Sequence, residues 1–304
     1  MNLLQTARKI KELKIQGASN IAKAAIDVFY YAAKKSKARS RSKFFNELEK
    51  AKKILFNTRP TEPLMRNGIK YILYKLKESS GDVDELKKLI SKFRNEFKKY
   101  AESSWKKIFE IGANKISNGD VIFTHCHSST VVNIIKEAKK QGKKVKVINT
   151  ETRPLYQGRI TAKELSKAGI KVIHIVDSAM HEFIREADIA IVGCDLISPE
   201  GIVNKIGTSA LAIFCRETET PFYVAGATWK FDSQALLGKI EIEQRNPKEV
   251  WKNPPKKVEI KNPAFDFVPR NNITSLITEE GILPISNLIQ IMLEKYPWIL
   301  KWHS

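Results

Sequence analysis

The stretch SNGDVIFTHCHSSTVVNIIKEAKKQG, residues 117–142, decides the fold. Its apolar run at 121–124 follows a turn-forming Ser-Asn-Gly-Asp and predicts a short β-strand. From residue 131 onward, apolar side chains recur at helical spacing. A polar loop, HCHSST, separates the two. A strand, a polar loop and a helix in this order are the repeating unit of a parallel α/β sheet.

The same unit recurs toward the C-terminus. Short β-rich runs occupy 143–150, 171–176, 189–193 and 222–226. Amphipathic helical patterns lie between them at 131–142, 161–169, 180–187 and 209–219. Strand–helix alternation with short turns predicts a Rossmann-like parallel sheet covered on both faces, which we assign to a domain spanning residues 116–304. Ligands of such sheets bind beyond the carboxyl ends of the strands.

The sequence before residue 116 has a different pattern. Residues 3–36 predict a helix broken near Gly17, and helical periodicity resumes at 44–57 before two prolines interrupt it. Two more helices are predicted at 66–78 and 82–111. We therefore expect a helical N-terminal domain over residues 1–115, and an α/β protein as a whole.

Composition narrows the class of protein. The chain has 304 residues, 42% of them hydrophobic, which is enough for a sizeable core. It contains no uncharged apolar run of eighteen residues, and its charged N-terminus lacks the apolar centre of a secretory signal. Its three cysteines have no metal-type spacing, so we interpret them as reduced thiols of a cytoplasmic protein.

The formal net charge of +20 is concentrated in the first part of the chain. Residues 1–118 hold 28 Lys and Arg against 12 Asp and Glu. Such an excess suits binding of nucleic acid, for example through the basic run 34–43, or attraction of an anionic substrate. The lysines alternate with apolar residues at helical spacing, so the favoured interpretation is a solvated helix surface.

Cys126 lies in the loop after the first predicted strand. Ser128, Ser129 and Thr130 follow and suit a helix N-cap, where free backbone N–H groups attract anions. A cysteine near a helix N-terminus tends to have a lowered pKa, and could then act as a base. The alternative is a small buried thiol beside two structural histidines.

Asp195 directly follows the apolar run 189–193. A carboxyl group that is poorly solvated in a closed site can keep its proton near neutrality and act as a general acid. A helix or turn cap is the alternative role. Aldose–ketose isomerisation removes a proton from one carbon and delivers a proton to the next. This reaction needs a base and an acid but no redox cofactor. Cys126 and Asp195 supply such a pair, so no cofactor is expected.

Several other polar residues fall at the same predicted edge. Glu151 and Arg153 follow the second strand and suit a phosphorylated, hydroxylated ligand, although a loop salt bridge would also account for them. Further candidate contacts with an anion are Asn204, Lys205 and Lys230, and in the helical domain Gly17, Ala18, Ser19 and Arg59.

Together these motifs resemble a known family. THCHSS, ETRPLYQGR, GCD, NKIGT and ATWKF, with the later IEIEQRNPKEVW and NPAFDFVP, are similar in order and spacing to the archaeal ribose-1,5-bisphosphate isomerases. Those enzymes share a superfamily with methylthioribose-1-phosphate isomerase and the regulatory subunits of translation initiation factor 2B. The Cys–Asp pair is the feature that marks the isomerase branches.

The resemblance implies a function and a set of site residues. It implies a homo-oligomer, a dimer or hexamer without a metal, that converts ribose 1,5-bisphosphate to ribulose 1,5-bisphosphate in AMP salvage, with AMP as an activator. Cys126 then resembles the proton-abstracting residue and Asp195 the proton donor. Contacts to phosphate and sugar are implied for Arg59, Ser128, Ser129, Thr130, Asn204, Lys205 and Lys230. The chain departs from the family at several places, among them the first ligand loop, where Gln16 stands in place of an arginine and Ser19 in place of a glycine. A non-catalytic regulatory subunit that senses a nucleotide or sugar phosphate is the alternative function.

Overall fold

The structure, a computed structural model, describes residues 2–15, 17–59, 62–236 and 242–300. They form two compact units. The first unit comprises the described residues of 1–103, 229–233 and 290–304, and the second comprises those of 104–228 and 234–289.

The first unit is helical, as the sequence predicts. Its helices are α1 (Leu3–Lys11), α2 (Ala18–Lys34), α3 (Arg41–Phe56), α4 (Pro63–Glu78) and the first part of α5 (Val83–Lys115). Asn2 and Ser40 cap α1 and α3 by accepting hydrogen bonds from backbone N–H groups of the first turn. Gly68 permits close packing of α4 on α5, because a Cβ atom there would lie 2.7 Å from Phe97 Cε2.

A seven-stranded sheet forms the centre of the second unit, in the strand order β10-β9-β7-β4-β1-β2-β3. All pairs are parallel except the edge pair of β10 and β9. The strands are β1 (Val121–Thr124), β2 (Lys146–Thr150), β3 (Lys171–Ile175), β4 (Ile189–Gly193), β7 (Phe222–Ala225), β9 (Ser275–Thr278) and β10 (Gly281–Leu283). The five strands that the sequence predicts are β1, β2, β3, β4 and β7, so the predicted α/β fold class is confirmed.

Helices connect these parallel strands. They are α6 (Ser129–Lys140), α7 (Gly158–Lys167), α8 (Met180–Ile184) and α9 (Thr208–Glu217), and the chain ends in α10 (Leu288–Lys295) and α11 (Pro297–Leu300). The chain continues from β1 to β2 and β3 on one side of β1, and then crosses back to β4 on its other side. That position is the topological switch point at which parallel α/β sheets bind ligands.

A second, three-stranded antiparallel sheet was not predicted. It consists of β5 (Leu196–Ser198), β6 (Gly201–Lys205) and β8 (Phe265–Pro269), in the order β5-β6-β8. Asn204 and Lys205 are therefore the last residues of a strand, and the helix that the sequence predicts after them begins at Thr208. Within the part of the chain that the structure describes, none of the helices combines the length and apolar character that a bilayer crossing requires.

Candidate active site

Cys126 lies just beyond the end of β1 in a left-handed backbone conformation, with a φ of 67°. This region is unfavourable for residues with a Cβ atom and persists only where neighbouring groups enforce it. Two threonines do so here. The Cys126 N–H donates to Thr152 Oγ1 at 3.0 Å, and Thr161 Oγ1 donates to the Cys126 carbonyl oxygen at 2.9 Å. Thr152 is itself left-handed, with a φ of 62°.

The loop that carries Cys126 packs against the end of β4. Ser128 Oγ accepts a hydrogen bond from the Val131 N–H and caps α6, as the sequence predicts. A Cβ atom on Gly193 would lie 2.5 Å from Ser128 Oγ, so this close approach requires glycine. Ser129 is exposed on the first turn of α6, and Thr130 is buried. Gly193 leads directly into Cys194 and Asp195, which brings the ends of β1 and β4 together.

Asp195 and Lys205 are held beside Cys126 by backbone and side-chain bonds. The Asp195 N–H donates to the Val203 carbonyl at 2.9 Å, which fixes Asp195 against β6 two residues before Lys205. His125 Nε2 lies 2.8 Å from the Ile206 carbonyl and so connects the neighbour of Cys126 to the neighbour of Lys205. Lys205 and Asp195 both act on the pKa of Cys126, so the three side chains lie within electrostatic reach of one another at the carboxyl edge of the sheet.

Electrostatics at this site differ from the expectation. Burial raises the pKa of the Cys126 thiol to about 12. A backbone hydrogen bond at His127 and the Lys205 ammonium act in the opposite direction, and Asp195 adds to the increase. The expected lowering of the thiol pKa is thus wrong, because desolvation of the thiolate outweighs the polar groups around it. Burial also shifts the pKa of Lys205 and lowers it, whereas the negative charge of an ionised Cys126 acts to raise it.

An ion pair that the sequence analysis missed lies beside Lys205. Arg245 donates to both carboxylate oxygens of Glu249, with Nη2–Oε1 and Nε–Oε2 distances of 2.6 and 3.3 Å. Asn262 Nδ2 donates to the same carboxylate at 3.2 Å. The charge of Arg245 lowers the pKa of Lys205 and the charge of Glu249 raises it. This cluster therefore lies within electrostatic reach of the site. Only the IEIEQRNPKEVW motif could have drawn attention to it, since no periodic pattern marks it.

Asp266, on β8, binds the start of α9. Its Oδ2 accepts hydrogen bonds from the N–H groups of Gly207 and Ser209 at 2.8 and 3.0 Å. Burial raises the pKa of Asp266 to about 6 against these hydrogen bonds. Two of the backbone donors at this helix N-terminus are therefore already occupied by the protein's own carboxyl group. Asn204 Nδ2 donates to Thr208 Oγ1 at 3.1 Å, which orders the same loop.

Glu151 and Arg153 make local contacts. Glu151 Oε2 lies 3.7 Å from Arg159 Nη2, which is the loop salt bridge that the sequence left open as the alternative. Arg153 is exposed, donates from Nη1 to the Tyr156 hydroxyl and lies over the ring of Tyr156. Among the described residues, these contacts favour a structural role for both side chains in this loop.

The remaining candidates belong to the first unit. Gly17, with a φ of 81°, precedes α2, so Ala18 and Ser19 form the first turn of that helix. Gln16 lies outside the described residues. Arg59 is buried after α3, with its Nη2 3.8 Å from Glu62 Oε1.

Lys230 is also buried in the first unit, in a 3₁₀ turn. Asn67 Nδ2, on α4, donates to the carbonyls of the residues on either side of it, Trp229 and Phe231, at 2.7 and 2.8 Å. The ring of Trp229 stacks on Tyr100 with a centroid distance of 3.9 Å. Asn67 thus fixes the backbone that carries Lys230, a role that sequence reasoning missed because 162 residues separate the two partners Asn67 and Trp229.

No metal centre is evident in the ranges that the structure covers. Among residues 2–15, 17–59, 62–236 and 242–300, no three His, Cys, Asp or Glu side chains are grouped as ligands for a metal ion. The donor set at the site consists instead of a thiol, a carboxyl group and an ammonium group.

Comparison with known proteins gives consistent matches along nearly the whole chain. The model of the initiation factor 2 subunit family matches residues 14–285. A protein of Thermococcus kodakarensis named ribose 1,5-bisphosphate isomerase is 42% identical over 99% of this chain and 96% of its own length.

Two solved structures from Pyrococcus horikoshii have the same fold. One is a translation initiation factor eIF-2B, with a TM-score of 0.80, 35% identity and coverage of 93% of this chain and 96% of that chain. The other is a 5-methylthioribose 1-phosphate isomerase, with a TM-score of 0.77, 29% identity and coverage of 96% and 88%.

Proposed function

This chain belongs to the initiation factor 2 subunit family, and from that premise we propose that it is an isomerase that converts ribose 1,5-bisphosphate to ribulose 1,5-bisphosphate. The observation that carries the proposal is the convergence of Cys126, Asp195 and Lys205 at the carboxyl edge of the sheet. A thiol, a carboxyl group and a cation at one point supply the base, the acid and the countercharge that a proton transfer between neighbouring carbons requires.

The proposed reaction uses each group twice. The Asp195 carboxyl group gives its proton to the ring oxygen as the bond between that oxygen and C1 breaks. The Cys126 thiolate then takes the proton from C2, which leaves an enol between C1 and C2. The resulting thiol delivers its proton to C1 while Asp195 accepts the proton of the C2 hydroxyl group. The product is the ketose, and both side chains return to their starting forms.

The raised pKa of Cys126 bears on this scheme. Because burial raises the pKa of the thiol to about 12, ionisation of Cys126 is a costly part of the proposed reaction. Lys205 stabilises the thiolate, since its ammonium lowers the thiol pKa. A sulfur of high basicity is also the better acceptor for a weakly acidic C–H proton.

The other candidate residues complete the proposal. Arg59, Ser128, Ser129, Thr130, Asn204 and Lys230 contact the phosphates and the sugar. We further propose that the protein is a cytoplasmic homo-oligomer, that AMP activates it, and that its ketose product enters a carboxylation step of AMP salvage.

Turnover of ribose 1,5-bisphosphate tests the function directly. The purified protein is expected to form ribulose 1,5-bisphosphate, followed by coupled carboxylation or by NMR of the ketose. Cys126→Ser and Asp195→Asn should each lower kcat by at least about a thousandfold, because each removes one of the two proton carriers. Both variants should still gain thermal stability from the substrate, since their binding contacts remain. As a matched control, Cys215→Ser replaces a buried thiol of α9 and should retain most of the activity.

The same experiment distinguishes the alternative. A family member that senses a nucleotide or sugar phosphate without catalysis would be stabilised by the ligand but would form no ketose, with or without AMP. That result would overturn the isomerase proposal. Unchanged turnover in Cys126→Ser or Asp195→Asn would instead show that the assigned proton carriers are wrong.

A further inference from the structure

Two threonine hydroxyl groups hold both backbone polar atoms of Cys126. We propose that Thr152 and Thr161 are positioning residues that fix the Cys126 sulfur opposite Lys205 and Asp195. This inference rests on the proposed function for its catalytic consequence, but its structural part concerns the sulfur alone. Both threonine side chains are buried, Thr152 completely and Thr161 with 1% exposure.

The two contacts have complementary donor and acceptor roles. A backbone N–H can only donate and a carbonyl oxygen can only accept. The Thr152 oxygen therefore accepts from Cys126, and the Thr161 hydroxyl proton points to the Cys126 carbonyl. His127 Nδ1 lies 3.1 Å from Thr161 Oγ1, so it donates to the remaining lone pairs of that oxygen. A residue without a hydroxyl group could not satisfy these buried partners.

A second series of bonds ties this arrangement to Lys205. The Ile206 carbonyl accepts from His125 Nε2 at 2.8 Å, so the proton of neutral His125 is on Nε2. Burial lowers the pKa of His125, which keeps the ring neutral and leaves Nδ1 as an acceptor. Thr150 Oγ1 donates to that Nδ1 at 2.6 Å, and Thr152 Oγ1 donates to Thr150 Oγ1 at 3.3 Å. Each hydrogen-bonding proton in the series can therefore be assigned to one donor atom.

The series has a consequence for Cys126. It runs from the Cys126 N–H through Thr152, Thr150 and His125 to the carbonyl that follows Lys205. Buried hydrogen bonds thus hold the backbone of Cys126 in a fixed position relative to the backbone that carries Lys205. Asp177, in the 3₁₀ turn after β3, supports the series, because its Oδ1 accepts from the Thr152 N–H at 2.8 Å. Loss of a threonine hydroxyl would release Cys126 from its left-handed conformation and let the sulfur rotate away from Lys205.

Isosteric variants test the proposal. Thr161→Val and Thr152→Val replace the hydroxyl with a methyl group, whereas Thr161→Ser and Thr152→Ser keep the hydroxyl and serve as matched controls. We expect the valine variants to lower kcat by roughly 10- to 100-fold with little change in KM, because a misplaced reacting atom costs rates of this size. The serine variants should stay within about threefold of the wild type.

Alkylation of Cys126 provides a readout that does not need turnover. Iodoacetamide modification between about pH 7 and 10 is followed by peptide mapping, which separates Cys126 from the buried Cys194 and Cys215. The valine variants should react about tenfold faster at each pH, because burial is the largest cause of the raised pKa and a sulfur that leaves its buried position forms more thiolate. Circular dichroism and thermal melting show whether each variant is folded, and the two positions provide independent tests if one valine variant does not fold.

The outcomes separate the two proposals. Valine variants that match the wild type in alkylation and kcat would overturn the positioning role, and so would serine variants that are as impaired as the valine ones. If alkylation changes as expected but the wild type has no turnover, the positioning of the sulfur stands and the proposed isomerase function fails.

Discussion

At the scale of single residues, Asp266 shows how a buried carboxyl group connects pH to stability. Its Oδ2 accepts from two N–H groups at the start of α9, yet burial raises its pKa from 3.8 to about 6. A raised pKa means that the folded state binds the proton more tightly than the unfolded state does. The contribution of Asp266 is therefore favourable below about pH 4 and is lost as the pH rises through about 6.

A comparison of Asp266→Asn with the wild type tests this sign. Between about pH 4 and 7 the wild type should lose up to about 3 kcal/mol of unfolding free energy through this group, and the uncharged variant should not. The difference is measured by urea denaturation at a series of pH values. Asp27→Asn is a control for which the opposite dependence of stability on pH is expected. Burial of Asp27 is outweighed by hydrogen bonds from Arg94 and Lys98, so its pKa is lowered and its contribution is lost as the pH falls. Equal pH profiles for Asp266→Asn and the wild type would contradict the prediction.

Cys126 shows why residue-scale chemistry was only partly predictable. Its place between a strand and a helix could be predicted from neighbouring residues, and so could the Ser128 cap. The direction of its pKa could not be predicted, because it depends on how completely distant segments remove water from the sulfur. Burial disfavours the thiolate more strongly than the backbone hydrogen bond at His127 and the charge of Lys205 favour it.

At the scale of elements, the start of α7 is fixed against the end of β2 by a glycine. A Cβ atom on Gly158 would lie 1.7 Å from the Thr150 carbonyl oxygen, which is part of the backbone and cannot move aside. Asn149 Nδ2 donates to the Gly158 carbonyl at 2.7 Å and closes the same contact. The placement of α7 matters for the site, because Thr161 lies on its first turn.

Gly158→Ala is accordingly expected to destabilise the protein by about 3 kcal/mol or more, since the added methyl group must displace backbone. Thermal melting and urea denaturation measure this loss. Ser166→Ala, on the exposed side of the same helix, should change stability by less than about 0.5 kcal/mol. A folded Gly158→Ala variant with wild-type stability would contradict the close approach.

The strands β5, β6 and β8 show the limit of element prediction. Central strands such as β4 and β7 are continuous apolar runs, because helices cover both faces of the sheet. The stretch that forms β6 contains a glycine, an asparagine and a lysine, residues with a low propensity for β-strands. Its strand conformation depends on pairing with β8, more than fifty residues later in the chain, which a local pattern cannot reveal.

At the scale of the whole molecule, the net charge of +20 bears on how an anionic substrate arrives. A large positive charge attracts a bisphosphate over distances comparable with the Debye length, and salt screens this attraction. If the proposed function is right, kcat/KM should fall at least about fivefold between about 50 and 500 mM salt, while kcat changes little.

Steady-state kinetics at several salt concentrations measure this effect. Alkylation of Cys126 by uncharged iodoacetamide is the control and should be insensitive to salt over the same range. A kcat/KM that does not vary with salt would show that long-range attraction has no part in substrate capture.

The sequence by itself determined the helical first part, five of the parallel strands and the residues that end those strands. Apolar runs and helical periodicity are local properties, so they can be read without knowledge of the fold. Only the tertiary structure decided that residues 229–233 belong to the helical unit, that Thr152 and Thr161 hold Cys126, and that burial raises the pKa of its thiol. These features depend on desolvation and on hydrogen bonds between residues far apart in the chain, and no local pattern encodes such contacts.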